Sequence, residues 1–185
     1  MNELRNLKIA VLTLEGVEKA EITEPVLALR AAGAEVTVIS NERKPVTTFE
    51  HHDPSDTYPI DATFAERKPE EFDGLFLPGG ALNADALRMV PEARAFVRSF
   101  DRAKKPIAAI CHAPWLLASA GILEGRKLTS FFTIQDDLRN AGATWSDEAV
   151  VTDGNLVTSR SPDDLPKFNP AIVDLFAQAK VPAHS

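Results

Sequence analysis

The stretch Pro106–Leu117, PIAAICHAPWLL, decides the fold. Five residues of strand-like apolar sequence (Pro106–Ile110) run into Cys111, and a helical pattern follows from His112 to Ala120. A strand feeding a helix through one polar, nucleophilic residue is the sequence form of a nucleophile elbow. Such a turn is sharp and needs small residues two positions to either side. Here those positions are Ala109 and Ala113. In open α/β sheets reactive groups sit at the carboxyl ends of strands, where this reading puts Cys111. The start of the next helix is expected to lower the thiol pKa and favour the thiolate. The backbone N–H of His112 is expected to help bind an oxyanion. The alternative for Cys111 is a buried residue acting as a small hydrophobe. For His112 it is a ring that only packs or caps near the helix start.

Outward from the elbow, short apolar runs alternate with helical patterns. Lys8–Leu14 is a near-continuous apolar run, expected of a strand covered on both faces. Glu18–Ala32 carries Ile22, Val26 and Leu29 at helical spacing and stops at Gly33. Strands are expected at Ala34–Ser40, Gly74–Gly80, Lys127–Ser130, Ala149–Thr152 and Leu156–Thr158. Helices are expected at Pro91–Ala103, Thr133–Asn140 and Asn169–Lys180, with Asn41–Pro69 as a loop or small β excursion. Parallel strands need crossovers of this kind, so the fold class is α/β: a mostly parallel central sheet between layers of helices. The strand at Lys8 and the strand at Pro106 are expected to be central neighbours. The final VPAHS reads as a frayed tail.

Composition fits this. The chain has 185 residues, 44% hydrophobic and 25% charged, the size and balance of one soluble domain spanning 1–185. Its single cysteine excludes an internal disulfide and favours a reducing compartment or a functional thiol. A net charge of −7 argues against a nucleic-acid-binding or anionic-lipid surface. Pro106–Leu123 has no formal charge when His112 is neutral, but a membrane helix there would carry two prolines. A buried strand and helix explain it better. The expected location is the cytoplasm, with no membrane association.

Further residues are candidates for the same site. In LPGGALNADALR (Leu77–Arg88), Gly79 and Gly80 permit close backbone approach, and their amides are placed to complete an oxyanion hole. The plainer reading is a tight turn with Asn83 or Asp85 capping a helix. Glu18 and Glu21 lie in the first turns after strand one, where a carboxylate is favoured by the helix dipole alone. Trp115 is one turn past Cys111 and reads as core or pocket wall. His51-His52-Asp53 lacks a spaced partner set, so a solvated loop is favoured over a metal site. Thr133 with Asp136 and Asp137 resembles a helix cap, and Arg160 with Asp163 and Asp164 an ion-pair segment.

These pieces in this order resemble the PfpI family. That family lies in the class I glutamine-amidotransferase-like superfamily, which also holds the Parkinson-associated protein deglycase. The likeness rests on VLTLEGVEKAEITEP, EEFDGLFLPGG, AAICHAPWLLASAGILEGRKLTS, DDLRNAGATW and DGNLVTSRSPDDL. It implies a flavodoxin-like three-layer sandwich, assembled as a homo-oligomer, a dimer or a hexamer of dimers. Cys111 matches the nucleophile and Glu21 the acid that hydrogen-bonds its sulfur. Glu18 matches a second acid nearby, and His112 the histidine after the nucleophile. In the peptidase-like branch an acid from a neighbouring subunit orients that histidine. Asp85 is the nearest match, in a loop one residue longer and with Asp in place of Glu. Phe131 stands where that branch has tyrosine. Both departures weaken a peptidase reading. Glutamine amidotransferases proper need a later histidine, and only His184 follows His112.

The activity this implies is a stress-response enzyme without a cofactor or metal, in which Cys111 attacks a small reactive carbonyl or a glycated adduct. Two alternatives remain open at this level. One is a redox-sensing protein that uses the same thiolate without turnover. The other is a cysteine peptidase using Cys111, His112 and a neighbour's Asp85.

Overall fold

The computed structural model describes residues 3–178; the expected frayed tail and the end of the last predicted helix lie outside them. In chain order the elements are β1 (Lys8–Leu12), β2 (Val17–Glu18), α1 (Lys19–Ala31), β3 (Glu35–Ser40), β4 (Val46–Glu50), β5 (Asp53–Tyr58) and β6 (Ala62–Thr63). There follow β7 (Gly74–Leu77), α2 (Ala81–Leu87), α3 (Pro91–Arg102), β8 (Ile107–Ile110), α4 (Pro114–Ala120) and β9 (Lys127–Leu128). The last are α5 (Gln135–Asn140), β10 (Thr144–Trp145), β11 (Val150–Asp153), β12 (Leu156–Ser159) and α6 (Leu165–Gln178).

Seven strands form the main sheet in the order β11-β12-β8-β7-β1-β3-β6. All its pairings are parallel except the β11–β12 edge hairpin. The period-two alternation of each strand sorts its side chains between two cores. Ala10, Leu12, Leu75, Leu77, Ile107 and Ala109 face Phe96, Val97 and Phe100 of α3 and Leu116 and Leu117 of α4. Ile9, Val11, Phe76, Ala108 and Ile110 face Ile22, Val26 and Leu29 of α1 and Phe168, Ile172 and Phe176 of α6. Both faces are buried, which explains why the central strands read as continuous apolar runs.

The topology corrects one expectation. β1 and β8 are not neighbours, because β7 pairs with both. The chain runs from β1 through α1 to β3 on one side, then returns to lay β7 on the other side of β1. The order reverses there, making a crevice at the carboxyl ends of β1 and β7. The sequence Leu77-Pro78-Gly79-Gly80 therefore lies between the element carrying Glu21 and the element carrying Cys111.

Other differences are local. The expected strand at Lys127–Ser130 is two residues long and pairs only with β10, outside the main sheet. The Asn41–Pro69 excursion contains the β4–β5 hairpin, which joins β2 in a small second sheet, and β6, which edges the main one. Helix α6 starts at Leu165, four residues before the expected Asn169, with Pro170 inside it. Pro170 leaves the carbonyl of exposed Pro166 without its helical donor, while Leu165, Phe168 and Ile172 gain burial. Arg160 pairs with Asp164 and with Asp147, not with Asp163. No helix among the described residues is long and apolar enough to cross a membrane.

Candidate active site

Cys111 closes β8 with φ of 63°, in the left-handed region that residues other than glycine rarely enter. Its N–H donates to the Ser159 carbonyl at 3.0 Å and its carbonyl accepts from Phe131 N–H at 2.9 Å, so neighbouring backbone fixes the turn. The residue is only 6% exposed. His112, the adjacent residue, turns its ring back: Nδ1 lies 3.1 Å from Cys111 Sγ. The ring stacks on Phe131 with centroids 4.8 Å apart and meets Trp115 edge-on at 5.3 Å. Its Nε2 faces Thr133 Oγ1 at 3.5 Å. Burial pushes the His112 pKa below its ordinary value, so the neutral imidazole prevails at pH 7.

Glu21, on the first turn of α1, is wholly buried. Neither of its carboxyl oxygens has a well-formed hydrogen bond among the described residues. The groups facing it are the Gly79 N–H and the Cys111 sulfur. Burial, reinforced by the charge of Glu18, pushes its pKa up to about 8. At neutral pH Glu21 is therefore chiefly a carboxylic acid, with an O–H to donate.

Gly79 makes this approach possible. A Cβ there would stand 2.6 Å from Cys111 Cβ and 2.8 Å from the Ile110 carbonyl oxygen, and would collide with Glu21 Oε2. Gly80 has φ of 93°, and a Cβ there would meet the Gly16 carbonyl and stand 2.7 Å from Glu18 N. Its N–H faces the Cys111 sulfur, as does that of His112.

The thiol departs from the expectation that a helix start acidifies it. Helix α4 is seven residues long and begins at Pro114. Burial, and then the charge of Glu21 when that carboxyl is ionised, push the Cys111 pKa up; the Gly80 and His112 amides push it down. Thiol and carboxyl thus titrate as a pair, and protonating Glu21 removes its share of the upward push.

The other candidates fall into place around this pair. Glu18 is buried beside Glu21; its carboxylate accepts from His51 N–H at 3.0 Å, and its own N–H donates to the Gly79 carbonyl at 3.3 Å. The His51-His52 pair forms the β4–β5 turn. Trp115 is half-buried, with Nε1 donating to Asp137 at 2.8 Å and the Arg88 guanidinium over its ring. Asp85 is exposed on α2, in a groove with Glu15, Phe49 and Leu82. Within one chain it makes no hydrogen bond to His112, whose free nitrogen meets Thr133 instead.

Two residues act differently from the sequence reading. Thr133, expected to cap a helix, reaches His112 Nε2 instead. Asn83, which the plainer sequence reading offers with Asp85 as a cap, makes no capping bond and is buried at the end of β1, joining β1 to the glycine loop. Its position three residues after the Gly-Gly pair was the available signal.

Comparison with known proteins agrees with the fold. A deglycase from Thermococcus kodakarensis is 42% identical over 159 residues, covering 86% of this chain and 93% of the relative. The protein/nucleic acid deglycase 2 of Escherichia coli is 45% identical over 163 residues, covering 88% and 93%. Among solved structures, Drosophila melanogaster DJ-1beta superposes with a TM-score of 0.85 at 31% identity, covering 92% of this chain and 90% of that one. The DJ-1/PfpI family pattern matches residues 7–175, and the chain belongs to that family.

Proposed function

We propose that this protein is a glyoxalase- or deglycase-type enzyme, in which Cys111 attacks a small 2-oxoaldehyde or the adduct it forms on an amine. The observation that carries this reading is the wholly buried Glu21 carboxyl, unpartnered, set against the Cys111 sulfur across Gly79. A carboxyl held at a pKa of about 8 beside a thiol is suited to exchange protons near neutrality. The names of these two deglycase relatives point the same way.

In the free-aldehyde reaction, Sγ bonds to the aldehyde carbon and the carbonyl oxygen takes up a proton, giving a hemithioacetal. The Gly80 and His112 amides would stabilise charge developing on that oxygen. A base then takes the proton from this carbon and returns it to the adjacent ketone carbon, leaving a thioester. Glu21 and His112 are the groups within reach. Water cleaves the thioester, releasing a 2-hydroxy acid and the free thiol. The net change is an oxoaldehyde plus water to a hydroxy acid, with oxidation at one carbon balanced by reduction at its neighbour. With a hemiaminal adduct as substrate, the carbon–nitrogen bond breaks first: the hydroxyl proton passes to nitrogen, the amine leaves, and the aldehyde so regenerated follows the same steps.

The test is lactate release from methylglyoxal by the wild type and by Cys111→Ser. Loss of release in the variant is expected; equal rates would discard the mechanism.

A further inference from the structure

Asn83 carries four hydrogen-bonding groups' worth of contacts and no exposure at all. Its Oδ1 accepts from Leu14 N–H at 2.7 Å and from the Thr13 hydroxyl at 3.4 Å, both at the end of β1. Its Nδ2 donates to the Pro78 carbonyl at 3.1 Å and to the Gly79 carbonyl at 2.9 Å, both in the loop after β7. One buried amide therefore ties together the two strand ends that form the crevice.

The consequence follows from the planarity of the trans peptide. The carbonyl of one residue and the N–H of the next share a plane and point in opposite directions. Holding the Pro78 carbonyl fixes the direction of the Gly79 N–H, and that N–H faces Glu21. Holding the Gly79 carbonyl fixes the direction of the Gly80 N–H, and that N–H faces the Cys111 sulfur. The Glu18 N–H supports the second plane by binding the same Gly79 carbonyl. Glycine at position 80 needs such support: with φ of 93° and no side chain, nothing of its own selects this conformation.

We infer that Asn83 is a positioning residue which, by holding the Pro78 and Gly79 carbonyls, aims the Gly79 and Gly80 amides at Glu21 and Cys111. It acts through the backbone and touches neither the sulfur nor the carboxyl. This inference rests on the proposed reading of Cys111 as the reacting atom, but it is testable without turnover.

The experiment is the pH dependence of Cys111 alkylation by iodoacetamide, on the wild type and on Asn83→Asp and Asn83→Ala. Asn83→Asp keeps an acceptor for Leu14 N–H and removes the donor to the two carbonyls; Asn83→Ala removes both and leaves room for water. With the Gly80 amide no longer aimed at sulfur, the apparent thiol pKa should rise by about one, making alkylation at pH 7 about tenfold slower while the high-pH limit is kept. A folded variant with a lowered melting temperature and an unshifted profile would mean that Asn83 is merely structural, and would overturn the inference. A measurement on the unaltered protein guards against variants that fail to fold. The Gly80 amide proton resonance should move with Cys111 ionisation, and a resonance blind to it would equally overturn the assignment. A shifted profile in a protein that releases no lactate would keep this inference and discard the proposed function.

Discussion

The Nδ1 of His112 lies 3.1 Å from the Sγ of Cys111, a contact between adjacent residues made while Cys111 is held at φ of 63°. Side chains of neighbouring residues in extended or helical backbone diverge, so the left-handed turn is part of how the two meet. The same turn presents the sulfur to Glu21 on its other side, across Gly79. Three elements far apart in sequence thus converge on one atom, each through its first residues beyond a strand end.

Glu21 makes stability fall with pH. Its pKa is about 8 in the folded chain against 4.5 ordinarily, so between these values the native state holds a proton that the unfolded chain has lost. Stability is then highest below the lower value, declines as pH rises through the interval, and levels off above about 8, with a slope of at most about 1.4 kcal/mol per pH unit. Glu21→Gln, neutral throughout, should remove this contribution. Urea unfolding of both proteins at pH 5, 6.5 and 8 reads the difference; parallel curves would refute the buried-acid assignment.

Gly79 and Gly121 should respond differently to alanine. At Gly79 the added carbon meets Cys111, Glu21 and the Ile110 carbonyl, none of which can retreat from the core. Gly79→Ala should lower stability by about 1–3 kcal/mol and slow thiol alkylation as well. Gly121 closes α4 with φ of 76° and nothing within 4 Å of a Cβ. Gly121→Ala should bear only the left-handed strain, roughly 1–2 kcal/mol, and leave alkylation unchanged. Denaturant midpoints and alkylation rates measured together separate the two cases.

Much of this arrangement is legible in the sequence, and the reasons differ by residue. Cys111 is conspicuous because an apolar strand, one nucleophile and two flanking alanines occur nowhere else in the chain. Gly79 and Gly80 are visible as a pair but not as a gap between Glu21 and Cys111, since that depends on β7 lying between β1 and β8. Strand order is a long-range property: nothing local in GLFLPGG distinguishes a neighbour of β1 from a strand beyond β8. Asn83 and Thr133 resemble helix caps because Asn and Thr before helical sequence usually are. The Cys111 pKa moves opposite to the sequence expectation for a related reason. A helix start is readable from sequence, whereas burial beside a second acid is not.

Phe131 should control the protonation of His112. The two rings stack at 4.8 Å, and burial is what lowers the histidine pKa. Phe131→Ala admits water to that face, so the value should move upward, toward the ordinary 6.5. An NMR titration of the His112 Cε1 proton is the check. A value unchanged or lower in the variant would mean that another group sets it.

The strain at Cys111 has its own signature. In ordinary backbone, glycine is less stable than alanine by roughly 0.5–1 kcal/mol because it has more freedom to lose. In the left-handed region the order reverses, because alanine keeps the clash between Cβ and backbone, worth roughly 1–2 kcal/mol. Cys111→Gly and Cys111→Ala both remove the sulfur, so their difference isolates the backbone. Cys111→Gly should be at least as stable as Cys111→Ala by thermal and urea unfolding, even though it buries one carbon fewer. That outcome would identify φ of 63° as a strained conformation imposed by the Ser159 and Phe131 backbone bonds, and retained where the thiol must face both His112 and Glu21. An alanine variant clearly the more stable of the two would show that the turn is relaxed, and that the elbow stores no strain.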